Sequence, residues 1–408
     1  MYRGEQSYSR FPSVRPTVRV ARQWNQGVTG MLAKVQRLAA VIVICAISAI
    51  AQNSDDANQT WRFAVSGDSR NCGDVIMRGI QQAVKREQAV FYWHLGDLRA
   101  IFEIDEDMQR IAELNKTPFT IISYENAAWP DFIKNQLEPF GALPVYIGMG
   151  NHETIPPKNR DQFIEQFADW LDTPQLRDQR LADNRADRRL KTYYHWTQGG
   201  IDFVTLDNGS AEQFDQAQLA WFNALMDRDT VNPEIRTVVV GMHKALPFSI
   251  SCDHSMNESG EGERSGVAVY KRLLALKKQK NVYILASHSH FFMDGTFNTN
   301  YWSNNGGVLP GWIIGTAGAQ HYRLPKNHAD AKASAENEYG YLLATVHPDK
   351  TIDFEFKEIK EDDIPDDTRT LYGKEWIHKI CYEDNAVKDV PQEQGYCAAV
   401  AEPVKKPQ

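Results

Sequence analysis

The stretch "VYILASHSH", residues 282–290, joins a strand-like segment to two histidines. Val282 to Ala286 is short, apolar and β-rich, which predicts a buried strand. His288 and His290 follow it with one residue between them, and residues i and i+2 of an extended chain point to the same side. Both imidazoles are therefore predicted to face one object beyond the carboxyl end of the strand. Two surface histidines in a loop would give the same local pattern, so the pattern alone does not decide between them.

Four other apolar stretches also end in polar residues that can bind metals. They are "WRFAVSGD" (61–68), "AVFYWHLGD" (89–97), "LPVYIGMGNHE" (143–153) and "IRTVVVGMHKALP" (235–247). Open α/β sheets bind ligands at the carboxyl ends of their strands. Carboxylate, amide and imidazole groups suit first-row divalent ions such as Mn, Fe, Zn and Ni. Five such endings in one chain therefore predict a shared metal site.

Helical patterns lie between these strands and predict a layered α/β fold. They fall near residues 75–88, 129–137, 160–171, 211–228 and 267–280. Alternation of strands and helices is typical of α/β proteins. The segment 192–208 is predicted to form a hairpin around two glycines. Residues 311–320 and 338–359 are predicted to add late antiparallel strands.

The N-terminal 51 residues have the layout of a signal peptide. A basic leader precedes the apolar run from Leu38 to Ala51, which is short for a membrane span. A true start at Met31 would give a leader of more usual length. We therefore expect an exported protein, periplasmic or extracellular, with no stable membrane anchor after cleavage.

The charge of the chain bears on its partners. The whole sequence carries a net charge of −8, and removal of the basic leader brings it to about −14. An acidic surface argues against nucleic acid as a partner. The acidic run from Glu103 to Asp107 is predicted to be a solvated face.

Four cysteines remain after the signal peptide, and an even number in an exported protein suggests disulfides. Cys381–Cys397 is the expected pair because it closes a short loop, which leaves Cys72–Cys252 as the second.

Taken together, these strand endings resemble the calcineurin-like metallophosphoesterase superfamily, and in particular its purple-acid-phosphatase-like branch. The resemblance spans residues 61–320. It implies a four-layered α/β/β/α sandwich, which we assign to residues 52–359, and a site with two divalent ions. Residues 360–408 are then expected to be a C-terminal extension, partly disordered.

The resemblance also implies a role for each strand ending. Asp97 would bridge the two ions. The other ligands would be Asp68 and His290 for the first ion, and Asn151, His243 and His288 for the second. Two ions in such a site clamp a phosphoryl group and acidify a bound water. The implied reaction is hydrolysis of a phosphate monoester or diester by a metal-bound hydroxide.

Residues around the implied metals would handle the substrate. His152, polarised by Glu153, would contact the phosphate or protonate the leaving group. His254, in the polar loop 250–266, and His321 are candidates for the substrate rim. The polarity of the loops favours a small phosphorylated substrate.

Two positions depart from the family pattern. Arg70 stands where the first motif usually supplies a histidine ligand, and Ala100 stands where purple acid phosphatases supply a tyrosine. Arg70 could bind the substrate phosphate, form a structural salt bridge with an acid, or repel the first ion. The last case would give a non-catalytic or single-metal module that binds a phosphorylated ligand. A single-metal nuclease is a weaker alternative, because the mature chain is acidic.

Overall fold

The computed structural model of the chain describes residues 59–388. The predicted signal peptide, the suggested start at Met31 and the end of the C-terminal extension lie outside these residues. None of the helices within 59–388 is long and apolar enough to cross a membrane.

The first sheet contains five strands in the order β12–β11–β1–β2–β3. The strands β1, β2 and β3 run parallel, and β11 pairs antiparallel with both β1 and β12. Their bounds are β1 Trp61–Ser66, β2 Ala89–His94, β3 Val145–Ile147, β11 Gly340–Val346 and β12 Ile352–Glu358.

The second sheet contains seven strands in the order β10–β8–β9–β7–β6–β5–β4. Their bounds are β4 Tyr194–Gln198, β5 Ile201–Thr205, β6 Thr237–Gly241, β7 Asn281–Ala286, β8 Phe292–Asp294, β9 Gly311–Ile314 and β10 Ala333–Ala335. The hairpin of β4 and β5 is present as predicted. The strand β9 is antiparallel to β8 as expected but parallel to β7, so the prediction for residues 311–320 was only half right.

Helices cover the outer faces of the two sheets. Their bounds are α1 Gly73–Arg86, α2 Glu106–Leu114, α3 Ile121–Phe132, α4 Arg160–Gln166, α5 Ala168–Leu171, α6 Pro174–Asp183, α7 Gln216–Val231, α8 Gly260–Leu276, α9 Asn300–Asn304, α10 Asp366–Tyr372 and α11 Lys374–Trp376. The helix α1 packs on the first sheet through Val75, Ile76 and Ile80. The helix α8 packs on the second sheet through Val269 and Leu273.

An aromatic core holds the two sheets face to face. Phe63 of β1 stacks on Phe91 of β2 with ring centroids 4.9 Å apart, and Phe203 of β5 meets Phe63 edge-on at 5.1 Å. Aromatic pairs in such geometries contribute about 1 kcal/mol beyond the area they bury. Helix, sheet, sheet and helix therefore form successive layers, and the predicted α/β/β/α sandwich is confirmed.

The C-terminal segment continues the domain beyond residue 359. Tyr372 and Ile377 are buried in the same core as α1. A disulfide joins Cys72, just before α1, to Cys381, with the Cα atoms 5.8 Å apart. The predicted pairs were therefore wrong: Cys381 bonds to Cys72 and not to Cys397, and Cys72 does not bond to Cys252. Cys381 pairs with Cys72 because the C-terminal segment packs against α1, whereas the prediction had assumed that the disulfide closes a short loop.

Candidate metal centre

The six predicted ligands lie after the carboxyl ends of five strands. Asp68 follows β1, Asp97 follows β2 and Asn151 follows β3, whereas His243 follows β6 and both His288 and His290 follow β7. Asp68, Asp97 and His288 have left-handed backbones, with φ of 60°, 56° and 67°. This conformation costs a non-glycine residue about 1 kcal/mol or more and is concentrated at functional sites. The structure thus brings together the residues that the sequence singled out.

The loop after β3 approaches Asp97 so closely that only glycine fits. A Cβ atom on Gly150 would lie 2.2 Å from Oδ1 of Asp97. The backbone N–H of His152 donates to the same Oδ1 at 3.1 Å. This contact fixes the Asp97 carboxylate against Asn151 and the residues that follow.

Four side chains converge on one point, and we call them the Asn151 cluster: Asp97, Asn151, His243 and His288. The Nε2 atom of His243 lies 3.0 Å from Oδ1 of Asn151, 3.1 Å from Nδ1 of His288 and 3.2 Å from Oδ1 of Asp97. These oxygen and nitrogen atoms are of the types that bind metal ions. An ion placed between them would explain why they lie so close to one another. Asp97, His243 and His288 meet the distance requirement for a metal site.

A carbonyl oxygen behind His243 and a carboxylate behind His288 orient the two rings toward that point. Nδ1 of His243 lies 3.1 Å from the Leu95 carbonyl oxygen, to which it donates, and Nε2 faces the cluster. Nε2 of His288 lies 3.5 Å from Oε1 of Glu258, an ion-pair distance too long for a normal hydrogen bond. A carboxylate or carbonyl behind a ligating imidazole is the usual arrangement in metal sites.

Glu258 was not identified from the sequence. Its carboxylate also contacts the Nζ atom of Lys244, a buried residue, and lies 3.8 Å from Nδ1 of His254. His254, Glu258 and His288 form a further group with metal-site spacing. The polarity of the loop 250–266 was the signal that pointed to this region, but it did not select the residue.

The electrostatics of the site favour a cation. Burial lowers the pKa of His243, but the Asp97 carboxylate outweighs this effect and raises that pKa to about 9. Burial raises the pKa of Asp68, but its interaction with His290 and the charge of His243 lower it to about 2. The carboxylates are therefore ionised at neutral pH and attract positive charge.

A second group, the His290 cluster, consists of Asp68, Asp97 and His290. Oδ1 of Asp68 lies 3.3 Å from Nε2 of His290. Oδ2 of Asp68 accepts hydrogen bonds from the Ser287 hydroxyl at 2.6 Å and from the His288 backbone at 2.8 Å. Within the described residues, Oδ1 of Asp68 and Oδ2 of Asp97 are buried without a hydrogen-bond partner.

Arg70 lies beside the His290 cluster. Its Nη2 atom is 3.3 Å from Nε2 of His290 and donates to the Tyr322 hydroxyl at 3.2 Å. In the part of the chain from 59 to 388, no carboxylate lies within ion-pair distance of Arg70, which argues against the structural salt bridge among its three possible roles. The guanidinium also lies 6.0 Å from the centre of the Phe102 ring.

His152 is positioned differently from the prediction. Its Nδ1 atom lies 2.6 Å from the Ala100 carbonyl oxygen, to which it donates, and its Nε2 lies 3.5 Å from Oδ2 of Asp97. Burial lowers the pKa of His152, although Asp97 opposes that shift. The ring is therefore oriented by a backbone carbonyl, and the predicted polarisation by Glu153 was wrong.

The Glu153 carboxylate accepts backbone hydrogen bonds instead. Its partners are the N–H groups of Gly150 at 2.7 Å, Leu98 at 2.9 Å and Asp97 at 3.0 Å. Glu153 thus ties the loop after β3 to the loop after β2. Burial and the nearby Asp97 raise its pKa to about 8, an effect that the backbone donors oppose.

The two predicted rim histidines differ from each other. The side chain of His254 is 47% exposed and its ring stacks on Tyr322 with centroids 5.1 Å apart, so it lies at the mouth of the site. His321 is buried, and its ring packs 4.3 Å from that of Tyr339. His321 therefore belongs to the core, and its assignment to the rim was wrong.

Phe102 is a rim residue that the sequence did not reveal. It is 55% exposed, although it is a large apolar residue, and its ring centroid lies 5.3 Å from that of His152. The preceding residue, Ile101, has a left-handed φ of 65°. The strained turn presents the Phe102 ring to the space in front of His152.

The residues of the Asn151 cluster fit a divalent metal ion. Two imidazoles, one carboxylate and one amide oxygen are a donor set for first-row metals. Asp97 contributes its Oδ1 atom, which lies 3.2 Å from Nε2 of His243. The His290 cluster also has metal-site spacing, but there Arg70 contacts the imidazole.

Comparison with known proteins agrees with this geometry. The profile of the family described as calcineurin-like phosphoesterase matches residues 62–292, more than half of the chain. The chain belongs to this family. No curated protein matches the sequence.

Two solved structures resemble this chain at low sequence identity. The purple acid phosphatase PPD1 from yellow lupin (Lupinus luteus) seeds is 16% identical with a TM-score of 0.51, and the match covers 76% of this chain and 53% of that chain. The structure of PhoD is 14% identical with a TM-score of 0.46, over 79% and 78% of the two chains. The present chain thus spans about half the length of the lupin enzyme, and the likeness shows the fold alone.

Proposed function

We propose that this protein is a metal-dependent phosphoesterase that hydrolyses a small phosphate monoester or diester. The observation that carries the proposal is the Asn151 cluster, in which four side chains able to hold an ion converge with His152 beside them. Family membership supports the same class of reaction. Whether the centre is dinuclear stays a prediction.

The protein's own residues would act as follows. Asp97, Asn151, His243 and His288 would hold a divalent ion, which when bound polarises phosphoryl oxygens and acidifies water. The Nδ1 proton of His152 is engaged by the Ala100 carbonyl oxygen, so Nε2 is the atom that can take up or deliver a proton. A protonated His152 would give its Nε2 proton to the leaving oxygen. Asp97, 3.5 Å away, would stabilise that protonated form.

A non-catalytic module that binds a phosphorylated ligand is the second candidate. It is favoured by one contact, the one between Arg70 and His290, which alters one of the two expected ion positions. Against it stands the complete ligand set of the Asn151 cluster. The two candidates are distinguished by turnover: the hydrolase cleaves a phosphate ester, whereas the binding module does not.

The test is a screen of phosphate monoesters and diesters with chelated protein and with protein reloaded with Mn or Zn. We expect turnover only after reloading, and we expect His243→Ala to remove both the ion and the activity. His328→Ala is the matched control, because His328 lies far along the chain in a short surface turn. Metal binding without turnover of any ester would favour the binding module.

We also propose that the protein is exported. The basic and apolar leader supports this, and so does the disulfide between Cys72 and Cys381, since disulfides persist in oxidising compartments. N-terminal sequencing of protein recovered from cell fractions tests it. A mature N-terminus near residue 52 outside the cytoplasm is expected, whereas an intact leader on cytoplasmic protein would contradict the proposal.

A further inference from the structure

We propose that the centre binds a single divalent ion, at the Asn151 cluster, and that the guanidinium of Arg70 occupies the position of a second ion at the His290 cluster. The inference rests on the metal dependence of the proposed function. It replaces the expected dinuclear site by an ion paired with an arginine.

The first argument concerns the lone pair of His290. Nδ1 of His290 lies 2.6 Å from the Gln320 carbonyl oxygen, so Nδ1 donates its hydrogen there and Nε2 carries the lone pair. Nη2 of Arg70 lies 3.3 Å from that Nε2. An arginine cannot be deprotonated in a protein, so its N–H groups only donate. One lone pair cannot serve both an arginine N–H and a metal ion.

The second argument concerns the charge of Arg70. The residue is only 6% exposed, and a buried cation requires compensation. In residues 59–388 it forms no ion pair within contact distance, and its Nε atom lacks a hydrogen-bond partner. The anion beside it is Asp68, whose Oδ1 lies 3.3 Å from the same Nε2 atom of His290 that Arg70 contacts. This is a carboxylate that would otherwise neutralise the first ion.

The third argument is that the rest of this position is built around the arginine. The Tyr322 hydroxyl accepts from Nη2 at 3.2 Å, and the Tyr322 ring stacks on His290 with centroids 3.9 Å apart. Tyr322 therefore holds both the guanidinium and the imidazole in place. The arginine is a fixed component of the site rather than a side chain extended into solvent.

Among residues 59–388, no arginine or lysine contacts the Asn151 cluster in this way. The buried Lys244, which follows His243 in the chain, is engaged through its Nζ atom by the Glu258 carboxylate. Nε2 of His243 and Nδ1 of His288 lie 3.1 Å apart and face the position of the ion. The two halves of the centre therefore differ in what they accept: a metal ion in one half and a guanidinium in the other.

This arrangement implies that Arg70 binds the substrate phosphate. A guanidinium carries one positive charge and presents N–H groups that match two oxygens of a phosphoryl group. It cannot acidify water as a metal does. Arg70 is thus expected to orient the phosphate and balance its charge, while the ion alone supplies Lewis-acid chemistry.

Metal content measured by elemental mass spectrometry tests the inference. The full chain, purified without chelators, is equilibrated with Mn(II) or Zn(II) and desalted. We expect about one ion per chain, about two after Arg70→His, which removes the cation and adds a ligand, and fewer than about 0.2 after His243→Ala. Arg78→His is the matched control because Arg78 pairs with Asp367 at the surface, and it should leave the metal content at the wild-type value.

His290→Ala separates the two hypotheses without depending on the folding of an Arg70 variant. If His290 holds Arg70 rather than an ion, this variant keeps about one ion per chain. If the centre is dinuclear, the wild type binds about two ions and the variant loses one of them. Electron paramagnetic resonance of the Mn(II) form gives a second readout, because an isolated ion shows six hyperfine lines and an exchange-coupled pair shows more lines at a smaller spacing.

The outcomes also separate this inference from the proposed function. One ion per chain without turnover of any ester upholds the inference and contradicts the hydrolase. Turnover with about two ions per wild-type chain upholds the hydrolase and overturns the inference. A wild-type chain that binds no ion overturns both.

Discussion

The carboxylate of Glu153 accepts the backbone N–H of Asp97 at 3.0 Å and that of Leu98 at 2.9 Å. The residue after His152 therefore supports the loop that carries the central carboxylate of the site. It acts on the geometry of Asp97 rather than on the histidine beside it.

Glu153→Gln is expected to destabilise the protein and weaken metal binding. A glutamine would direct its NH₂ group at one of the backbone N–H donors, leaving a buried donor unpaired at a cost of about 1–3 kcal/mol in the free energy of unfolding. A displaced Asp97 should lower metal affinity about 10-fold or more. Urea unfolding and metal titration measure both effects. Glu234→Gln, at an exposed position, is the control, and equal behaviour of the two variants would contradict the role of Glu153.

His152→Ala should separate turnover from metal binding. The ring contacts Asp97 at 3.5 Å but belongs to neither ligand cluster. Loss of a general acid lowers kcat by about 10²–10⁴-fold, most for esters with poor leaving groups. Metal content should stay at the wild-type value. A variant with full kcat, or one that has lost its ion, would be inconsistent with the role assigned to His152.

Phe102→Ala should raise KM for esters with aromatic leaving groups. The exposed ring lies 5.3 Å from that of His152, the residue proposed to protonate the leaving group. An aromatic contact contributes about 1 kcal/mol, which corresponds to about a fivefold change in KM. Ile122→Ala removes another exposed apolar side chain and is the control. A similar KM change for alkyl esters would argue against contact with an aromatic group.

The strand endings were predictable because each one is encoded locally. An apolar β-rich run followed at once by Asp68, Asp97 or His243 places the polar residue at a sheet edge whatever the distant sequence contains. The convergence of these edges then follows from the parallel order of the strands. This is why the sandwich and the grouping of ligands could be inferred from the sequence.

The contacts between distant segments could not be inferred in this way. The run Glu103–Asp107 was expected to be solvated, yet Asp105 and Asp107 are fully buried around Arg99. Arg99 also contacts Asp74 and Asp131, which lie on separate helices. The prediction was wrong because the local sequence does not show that these carboxylates will pair with a buried arginine.

Reduction of the disulfide between Cys72 and Cys381 should release the C-terminal helices. The bond spans 309 residues of sequence, and cross-links of long loops contribute about 2–5 kcal/mol to stability. Cys381→Ser should therefore lower the Tm and expose residues 360–388 to proteases. Non-reducing peptide mapping of the wild type should yield a peptide pair containing Cys72 and Cys381. A pair joining Cys381 to Cys397 would contradict the structure.

A buried histidine outside the site should make stability depend on pH. Nδ1 of His195 lies 2.8 Å from Asp202, and its Nε2 lies 2.5 Å from Asp183. Burial lowers the pKa of His195, but the charge of Asp202 and the hydrogen bond with Asp183 raise it to about 10. The folded protein thus binds a proton here more tightly than the unfolded chain, whose histidine titrates near 6.5.

The sign of the effect follows from this difference. The stabilisation from protonated His195 is complete below pH 6.5 or so and declines as pH rises toward about 10. His195→Gln should lower the free energy of unfolding by about 3 kcal/mol at pH 6, as for a broken buried ion pair, with a smaller loss at pH 9.5. His347→Gln, which removes a surface contact with Asp353, should change it by less than about 1 kcal/mol at either pH. Urea unfolding at the two pH values measures these differences, and an equal loss for His195→Gln at both would show that its charge does not stabilise the fold.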